Sequence, residues 1–126
     1  IIVEYDIDAF RIGDDYGSQK DLLFSPQQWR RFIKPRLKKL ADVAKRKGLP
    51  IVLHTCGNVC KIMDDLNEVG VNVLNPVQPK AMNPAELKQR YGHLLCFYGT
   101  LDLQHNLPFG TPEEIRGEVE ERIRTV

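Results

Sequence analysis

The sequence has few cysteines and no long apolar run, and each shortage excludes a class of protein. Its three cysteines, Cys56, Cys60 and Cys96, are too few and odd in number for a disulfide framework. We therefore expect a reducing environment and assign the chain to the cytoplasm. No apolar stretch approaches the roughly 20 residues that a membrane span requires, and no secretory signal peptide is visible, so we expect no membrane contact.

An excess of charge of one sign is also lacking, because the formal net charge is +1 and Lys and Arg are interspersed with Asp and Glu. Without a basic block, we expect no nucleic-acid partner. No low-complexity segment divides the chain, so we predict one unit over residues 1–126. The chain opens without Met and stops inside a helical pattern, and we interpret it as a piece of a longer protein.

Four short apolar runs, at residues 7–12, 50–54, 71–75 and 94–98, alternate with segments in which apolar residues recur at helical spacing. These runs are predicted strands. Cys96 lies in the last run and is predicted to be a small buried hydrophobe. Hydroxyl or amide caps followed by proline predict helix starts at Ser25-Pro26, Asn83-Pro84 and Thr111-Pro112.

The apolar residues of the predicted helices indicate which faces are buried. The helix after Ser25 is predicted to stop at Pro35, where a second helix begins. The residues that we expect to be buried are Trp29, Phe32 and Ile33 in the first helix, Leu37, Leu40, Val43 and Ala44 in the second, and Val59, Ile62, Met63, Leu66 and Val69 in the third.

Repeated strand and helix order predicts an α/β fold with a parallel sheet. An open doubly wound sheet usually shows a glycine-rich phosphate turn after its first strand, and this sequence has none. Because eight strand and helix units occupy about 250 residues in a (β/α)8 barrel, four units in 126 residues fit half of such a barrel.

His54-Thr55-Cys56-Gly57 follows the apolar run Ile51-Val52-Leu53 and is the most specific motif of the chain. Alternate residues of a strand point to the same face, so His54 and Cys56 are candidate ligands of one metal ion. A zinc site needs at least a third protein donor. Cys60 extends the pattern to His-x-Cys-x3-Cys, but it also begins a helix whose apolar stripe starts at Val59.

Carboxylates follow two other predicted strands. Asp14 and Asp15 lie between Gly13 and Gly17, and Asp102 follows Gly99. In a parallel barrel these loops meet at one mouth, so each of the three is a candidate catalytic residue, and the Asp pair could also supply a metal ligand. The alternative for each is a structural role as a cap of its turn.

The order of these motifs resembles the uroporphyrinogen decarboxylase superfamily. The motifs are Gly13-Asp14-Asp15-Tyr16-Gly17-Ser18-Gln19, Ser25-Pro26, Pro35, His54-Thr55-Cys56-Gly57-Asn58 and Gly99-Thr100-Leu101-Asp102. The resemblance spans nearly the whole chain. It implies a (β/α)8 barrel, of which this chain would be the later-middle portion, about strands four to seven.

The resemblance leaves two activities open. The His54 and Cys56 pair is similar to that of zinc-dependent methyltransferases, which move a methyl group from a methylated corrinoid to a thiol. It implies zinc, a small-molecule substrate and a corrinoid protein as partner. Our own hypothesis, which the resemblance does not supply, is that Asp14, Asp15 and Asp102 orient the zinc ligands or the substrate. The third zinc ligand would follow Val126. The alternative is uroporphyrinogen decarboxylation, which needs no cofactor and would require several cationic side chains at the mouth.

A third alternative is a non-catalytic fragment that only assembles. Four strands leave two open sheet edges, and open edges favour pairing with another chain. We therefore expect a homodimer in which each copy covers the edges of the other.

Overall fold

The computed structural model describes residues 4–126 and contains one sheet of four parallel strands in chain order. The strands are β1 (Phe10–Gly13), β2 (Ile51–His54), β3 (Val73–Asn75) and β4 (Cys96–Phe97). Their register joins Gly13 to His54 and His54 to Asn75, so the ends of the first three strands lie side by side. The predicted α/β class with four strand units and a parallel sheet is confirmed.

The strands are shorter than the apolar runs that predicted them, most clearly at β1, which begins at Phe10 rather than at residue 7. The amide of Phe10 donates to the carbonyl of Pro50 at 2.9 Å, and Phe10 is in register with Ile51, the first residue of β2. Residues 4–9 pair with no other strand, so the ladder begins at Phe10.

The helices are α1 (Pro26–Gln28), α2 (Lys34–Lys45), α3 (Met63–Val69), α4 (Pro84–Tyr91), α5 (Asn106–Phe109) and α6 (Pro112–Thr125), and a short 3₁₀ segment (Cys60–Ile62) precedes α3. No helix among residues 4–126 has the length and apolar character needed to cross a bilayer.

The predicted start of a second helix at Pro35 is confirmed, because α2 begins at Lys34. The predicted interruption is wrong, because a five-residue π segment (Trp29–Ile33) joins α1 to α2 continuously. The amide of Lys34 donates to the carbonyl of Trp29, five residues earlier. Pro35 lies in the first turn of α2, where a missing amide donor is tolerated, and the wider π turn before it makes room for the ring.

The predicted core of α3 is confirmed, since Val59, Ile62, Met63, Leu66 and Val69 are all fully buried. In the first helical region Trp29 and Leu37 are buried, whereas Phe32 is 50% and Leu40 48% exposed, contrary to prediction. Leu40 lines a groove beside β1 with Ile12 and Leu37, on the side where the described chain has no further strand.

The two faces of the sheet differ in how far helices bury them. Ile51 and Leu53 of β2 are fully buried under helices, whereas the alternate residues Val52 and His54 are only partly buried. Covering one face with helices is typical of a barrel wall, whereas a doubly wound sheet is covered on both faces. Cys96 is in register with Val73 on the open face and is exposed, so its predicted burial is wrong.

Candidate metal centre

His54, Cys56 and Asp15 come together at the carboxyl end of β2. Their ligand atoms all lie within 4.8 Å of one another. Cys56 Sγ is 3.7 Å from His54 Nε2, and Asp15 Oδ1 is 3.9 Å from the same nitrogen. The structure thus brings together both predicted metal ligands and one of the three predicted catalytic carboxylates.

Two glycines allow the loops that carry these residues to cross. Gly57, directly after Cys56, has φ 79°, and a Cβ atom there would lie 2.3 Å from the carbonyl carbon of Gly17. The amide of Asn58 donates to the carbonyl of Ser18 at 2.7 Å, which fastens the crossing. Because the loop after β1 is held against the turn after β2, Asp15 reaches Cys56. Its Oδ1 accepts a hydrogen bond from the Cys56 amide at 2.8 Å.

Asn75 on β3 determines which nitrogen of His54 has a lone pair available to bind a metal. Its Nδ2 donates to the carbonyl of Tyr98 at 3.1 Å, so its Oδ1 faces His54 Nδ1, 2.7 Å away. This oxygen is an acceptor, and Nδ1 therefore carries the proton. The lone pair of the neutral imidazole is then on Nε2, which faces Cys56 and Asp15, and this is the arrangement found around metal-binding histidines.

The His54 and Cys56 pair fits zinc in both chemistry and spacing. A tetrahedral zinc ion with its usual bond lengths separates a nitrogen and a sulfur ligand by about 3.6 Å, close to the 3.7 Å between Nε2 and Sγ. Asp15 fits less closely, because two ligands of the nitrogen and oxygen type would be about 3.4 Å apart, whereas Oδ1 is 3.9 Å from Nε2. The separation of Nε2 and Sγ therefore matches that of two zinc ligands, whereas Asp15 Oδ1 would have to move about 0.5 Å closer to Nε2.

The electrostatics of the site hold the free thiol protonated. Burial raises the pKa of Cys56 above its ordinary value, and the negative charge and hydrogen bonding of Asp15 raise it further. A thiolate is thus disfavoured in the absence of a cation at the site. The free thiol is therefore not activated as a nucleophile, and a bound cation would be needed to make it a thiolate.

Several supporting residues have no signal in the sequence. Gln78 is buried, and its Oε1 accepts from the amide of Gly57 at 2.7 Å and from Gln19 at 3.2 Å. Thr55 accepts from the amide of Tyr16 through its hydroxyl at 3.0 Å. These contacts join residues 21 to 59 positions apart in the chain, so only the register of the strands could reveal them.

Asp14 and Asp102 lie outside this cluster. Asp14 is exposed and borders the groove beside β1. Asp102 is buried, and its Oδ1 accepts from the amides of Gln104 and His105 at 3.0 and 3.2 Å. These amides hold the pKa of Asp102 below its usual range, the Gln104 amide most strongly. Through these contacts, Asp102 caps the turn that follows it.

Cys60 also lies outside the cluster. It is exposed and opens the 3₁₀ segment before α3, whose buried residues begin at Val59. Among residues 4–126, the third donor within reach of His54 and Cys56 is Asp15.

A parallel sheet with helices on one face and donor atoms at its strand ends defines a protein of the (β/α)8 barrel type. The family comparison agrees, since the model described as uroporphyrinogen decarboxylase (URO-D) matches residues 1–126. The chain belongs to the uroporphyrinogen decarboxylase family, and the family predicted from its motifs is confirmed.

The relatives are methyltransferases. The chain is 30% identical over 117 residues to the methylcobamide:CoM methyltransferase MtaA of Methanosarcina barkeri, which covers 93% of this chain and 33% of that protein. It is 27% identical over 110 residues to the methylated-thiol–coenzyme M methyltransferase of Methanosarcina mazei, covering 84% and 27%. A solved methyltransferase structure from Methanosarcina mazei has a TM-score of 0.77 and 30% identity, over 98% of this chain and 35% of that one. The chain thus spans about a third of the length of these proteins.

Proposed function

We propose that the protein containing this chain transfers a methyl group from a methylated corrinoid to a thiol, at a zinc ion held by His54 and Cys56. The observation that carries the proposal is the 3.7 Å spacing of Nε2 and Sγ, with the other nitrogen of the imidazole fixed by Asn75. The similarity to methyltransferases named for methylcobamide and coenzyme M supports the nature of the donor and acceptor. We propose that residues 1–126 are the later-middle portion of the barrel, about strands four to seven.

The chemistry follows from the donor set. Zinc at this site would act as a Lewis acid that keeps a thiol deprotonated at neutral pH. In the transfer, the bond between the methyl carbon and cobalt breaks and a bond from that carbon to the thiol sulfur forms. The cobalt keeps the electron pair, and the thiol gives up its proton.

The residues of this chain orient the site and receive that proton. Asn75 keeps the lone pair of His54 on Nε2. Asp15 holds the Cys56 amide through Oδ1, and we propose that its Oδ2 accepts the proton of the incoming thiol. We propose that Asp14 and Asp102 orient substrate at the rim of the mouth, Asp102 through Oδ2, which lies 3.9 Å from Lys80 Nζ.

The contacts at the mouth do not favour the decarboxylase alternative. A substrate with many carboxylates would need free cations there. Lys61 is paired with Asp21, and Lys80 is directed toward Asp102. Arg11, beside His54, is a single cation rather than the several that such a substrate would need. The methyltransferase proposal uses the groups that the structure brings together.

Zinc content tests the proposal. Purified full-length protein should contain close to one equivalent of zinc by mass spectrometry, whereas His54→Ala and Cys56→Ala should lose most of it. Cys60→Ala is the matched control, since it removes an exposed thiol four residues from Cys56 and should retain zinc. Wild-type zinc below about a tenth of an equivalent, or zinc unchanged in both ligand variants, would refute the proposal.

The zinc affinity of two Asn75 variants tests whether this residue orients the imidazole of His54. Asn75→Leu removes the acceptor for His54 Nδ1 and should weaken zinc affinity about 10- to 100-fold. Asn75→Asp keeps an acceptor at that position and should lose less. Equal affinities of the two variants would show that Asn75 does not act through the imidazole.

A further inference from the structure

Half of the cations of the chain lie in one short stretch. Residues 30–47 contain nine of the 18 Lys and Arg residues but only one of the 17 Asp and Glu residues, Asp42. The rest of the chain carries nine cations against 16 carboxylates, so the charges are less evenly interspersed than the net charge of +1 predicts. We call residues 30–47 the basic stretch, and it covers most of the π segment, α2 and the turn after it.

Ion pairs of the described chain use three of these nine cations. Arg30 and Lys34 bind Asp65, and Lys38 binds Asp42. Among residues 4–126, no ion pair within 4 Å involves the other six, and all of them are exposed, namely Arg31, Arg36, Lys39, Lys45, Arg46 and Lys47. The fold therefore leaves a surface with a large excess of positive charge.

Helix stability does not account for this composition. The three cations at the carboxyl end of α2 lie where the helix dipole favours them. Farther from that end, Lys34 and Lys38 are like charges four residues apart, and Arg36 and Lys39 are like charges three residues apart, which destabilises a helix. The first turns of α1 and α2 contain no acidic residue that would offset this repulsion. An anionic partner would relieve it.

Two common polyanions fit this surface poorly. A helix that lies on a membrane inserts its apolar face between the lipids, but the apolar residues Leu37, Ala41 and Ala44 of α2 are buried in the core. A nucleic acid would extend its row of phosphates beyond the basic stretch, over parts of the chain where carboxylates outnumber cations. A compact acidic surface avoids both difficulties.

Phe32 favours a protein as the owner of that surface. Its side chain is 50% exposed, and the guanidinium of Arg31 lies over its ring, 5.0 Å from the centroid. Aromatic residues and arginines are enriched at the centres of protein interfaces. From Arg31 to Arg46 a helix rises about 22 Å, and a standard interface of about 800 Å² per partner is roughly 30 Å across, so one protein can contact the whole length.

We propose that the outer side of the basic stretch binds a partner protein through an acidic surface that also presents apolar side chains to Phe32. The inference goes beyond the proposed methyl transfer and stands apart from it, because the basic stretch contains no residue of the metal centre. Charge complementarity of this kind acts mainly on the rate of association and weakens as salt is added.

Binding of the acidic copolymer poly(Glu,Tyr) to the full-length protein tests the role of the charges. Fluorescence anisotropy of the labelled copolymer should show binding at low salt that weakens as the salt concentration rises. We expect the triple variant R31E/K39E/R46E to bind it at least about tenfold more weakly than the wild type does. R31Q/K39Q/R46Q removes the charges without reversing them and relieves repulsion within α2, so it should fold as the wild type does and also bind weakly.

The matched control is K20E/K88E/R116E. It reverses three exposed cations that lie outside the basic stretch and belong to no ion pair in the part of the chain that the structure describes, so it changes the net charge equally. This control should retain most of the wild-type affinity. No binding by the wild type, full binding by R31Q/K39Q/R46Q, or an equal loss in the two charge-reversal variants would overturn the inference.

Two further measurements separate a protein from a nucleic acid. Phe32→Ser should weaken the binding of poly(Glu,Tyr) but not that of poly-L-glutamate, because only the copolymer carries rings that can cover Phe32. Unchanged binding of both polypeptides by Phe32→Ser, or tighter binding of duplex DNA than of poly(Glu,Tyr) at equal charge concentration and salt, would overturn the assignment to a protein. Zinc content tests the proposed methyl transfer separately, since none of these variants alters His54 or Cys56.

Discussion

At the scale of single residues, the metal centre depends on backbone positions that carry no side chain. Gly57 has a positive φ and lies against Gly17 so closely that neither position has space for a Cβ atom. The crossing brings Asp15 to the Cys56 amide. Replacing either glycine is therefore expected to separate Asp15 from His54 and Cys56.

Gly57→Ala is expected to destabilise the protein by more than about 2 kcal/mol, since it adds a steric clash to an unfavourable φ. Gly48→Ala is the matched control, because Gly48 also has a positive φ of 67° but nothing lies within 4 Å of its added Cβ. Gly48→Ala should cost only the conformational term, about 1 to 2 kcal/mol. Urea unfolding of the two variants measures the difference, and equal losses would show that the crossing relaxes freely.

The proximity of His54 and Cys56 could be predicted from the sequence, because strand alternation alone places them on one side. Asn75 could not be assigned its role, because its contact with His54 depends on the register of β2 with β3. Asp14 and Asp15 are adjacent in sequence, and only the position of Gly17 against Gly57 shows that Asp15 turns toward Cys56.

At the scale of elements, a buried carboxylate joins α3 to the π segment and to α2. Asp65 of α3 accepts from Arg30 and Lys34 at 2.7 to 3.1 Å, and its side chain is 6% exposed. Burial acts to raise the pKa of Asp65, but the hydrogen bonds from Arg30 and Lys34 outweigh it, and the pKa is lowered. The charged form of Asp65 therefore stabilises the packing of α3 against α2.

This lowered pKa predicts a dependence of stability on pH. Since the folded pKa lies below the unfolded value of about 3.9, the contribution of Asp65 is complete above that pH and is lost as the pH falls through the folded pKa. Asp65→Asn should lower the free energy of unfolding at pH 7 by about 1 to 2 kcal/mol and flatten its acid dependence.

Asp42→Asn is the control for Asp65→Asn, because Asp42 pairs with Lys38 on an exposed helix face and should contribute little. Denaturation at pH 7 and pH 3 compares the variants. A loss in Asp65→Asn that is the same at both pH values would contradict the assignment.

Caps and apolar spacing predicted the starts of α4 and α6 and the buried face of α3, because these signals are local to each helix. The π segment before Pro35 was not predicted, since a proline in a helical pattern ordinarily marks a boundary and the wider turn depends on how Trp29 is buried. The exposure of Leu40 likewise depends on what lies beside β1, where it lines a groove with Ile12, and no local pattern contains that information.

At the scale of the whole molecule, helices cover one face of the sheet, and both edge strands are open within residues 4–126. Apolar side chains remain exposed, including Phe109 at 77% and Ile123 at 79%. Open edges and apolar surface of this kind favour association with further protein. We accordingly propose that residues 1–126, expressed alone, form a homodimer.

Cys96→Lys tests this association, because Cys96 is exposed on the edge strand β4 and a lysine there discourages edge pairing. Sedimentation should show a dimer for the wild-type chain and for Cys96→Ser, and a shift toward monomer for Cys96→Lys. A folded wild-type monomer would refute the dimer.

The hydrogen bonds that orient His54 and the hydrogen bond between Asp15 and Cys56 join residues at different separations in the chain. His54 to Asn75 and Asn75 to Tyr98 span 21 and 23 residues, whereas Asp15 to Cys56 spans 41. The pairing of Gly13 with His54 already closes the longer span, so exposure is what distinguishes the two contacts. Asp15 is exposed on a loop, whereas Asn75 is buried at the end of β3, and the Asp15 contact is therefore the more easily released. Release would leave the imidazole aligned by Asn75, and the Cys56 amide should exchange its hydrogen faster than the Thr55 amide, which donates to Asn75 at 2.8 Å. Movement of Asp15 would then give an incoming molecule access to Cys56 while Asn75 keeps the imidazole of His54 in its orientation.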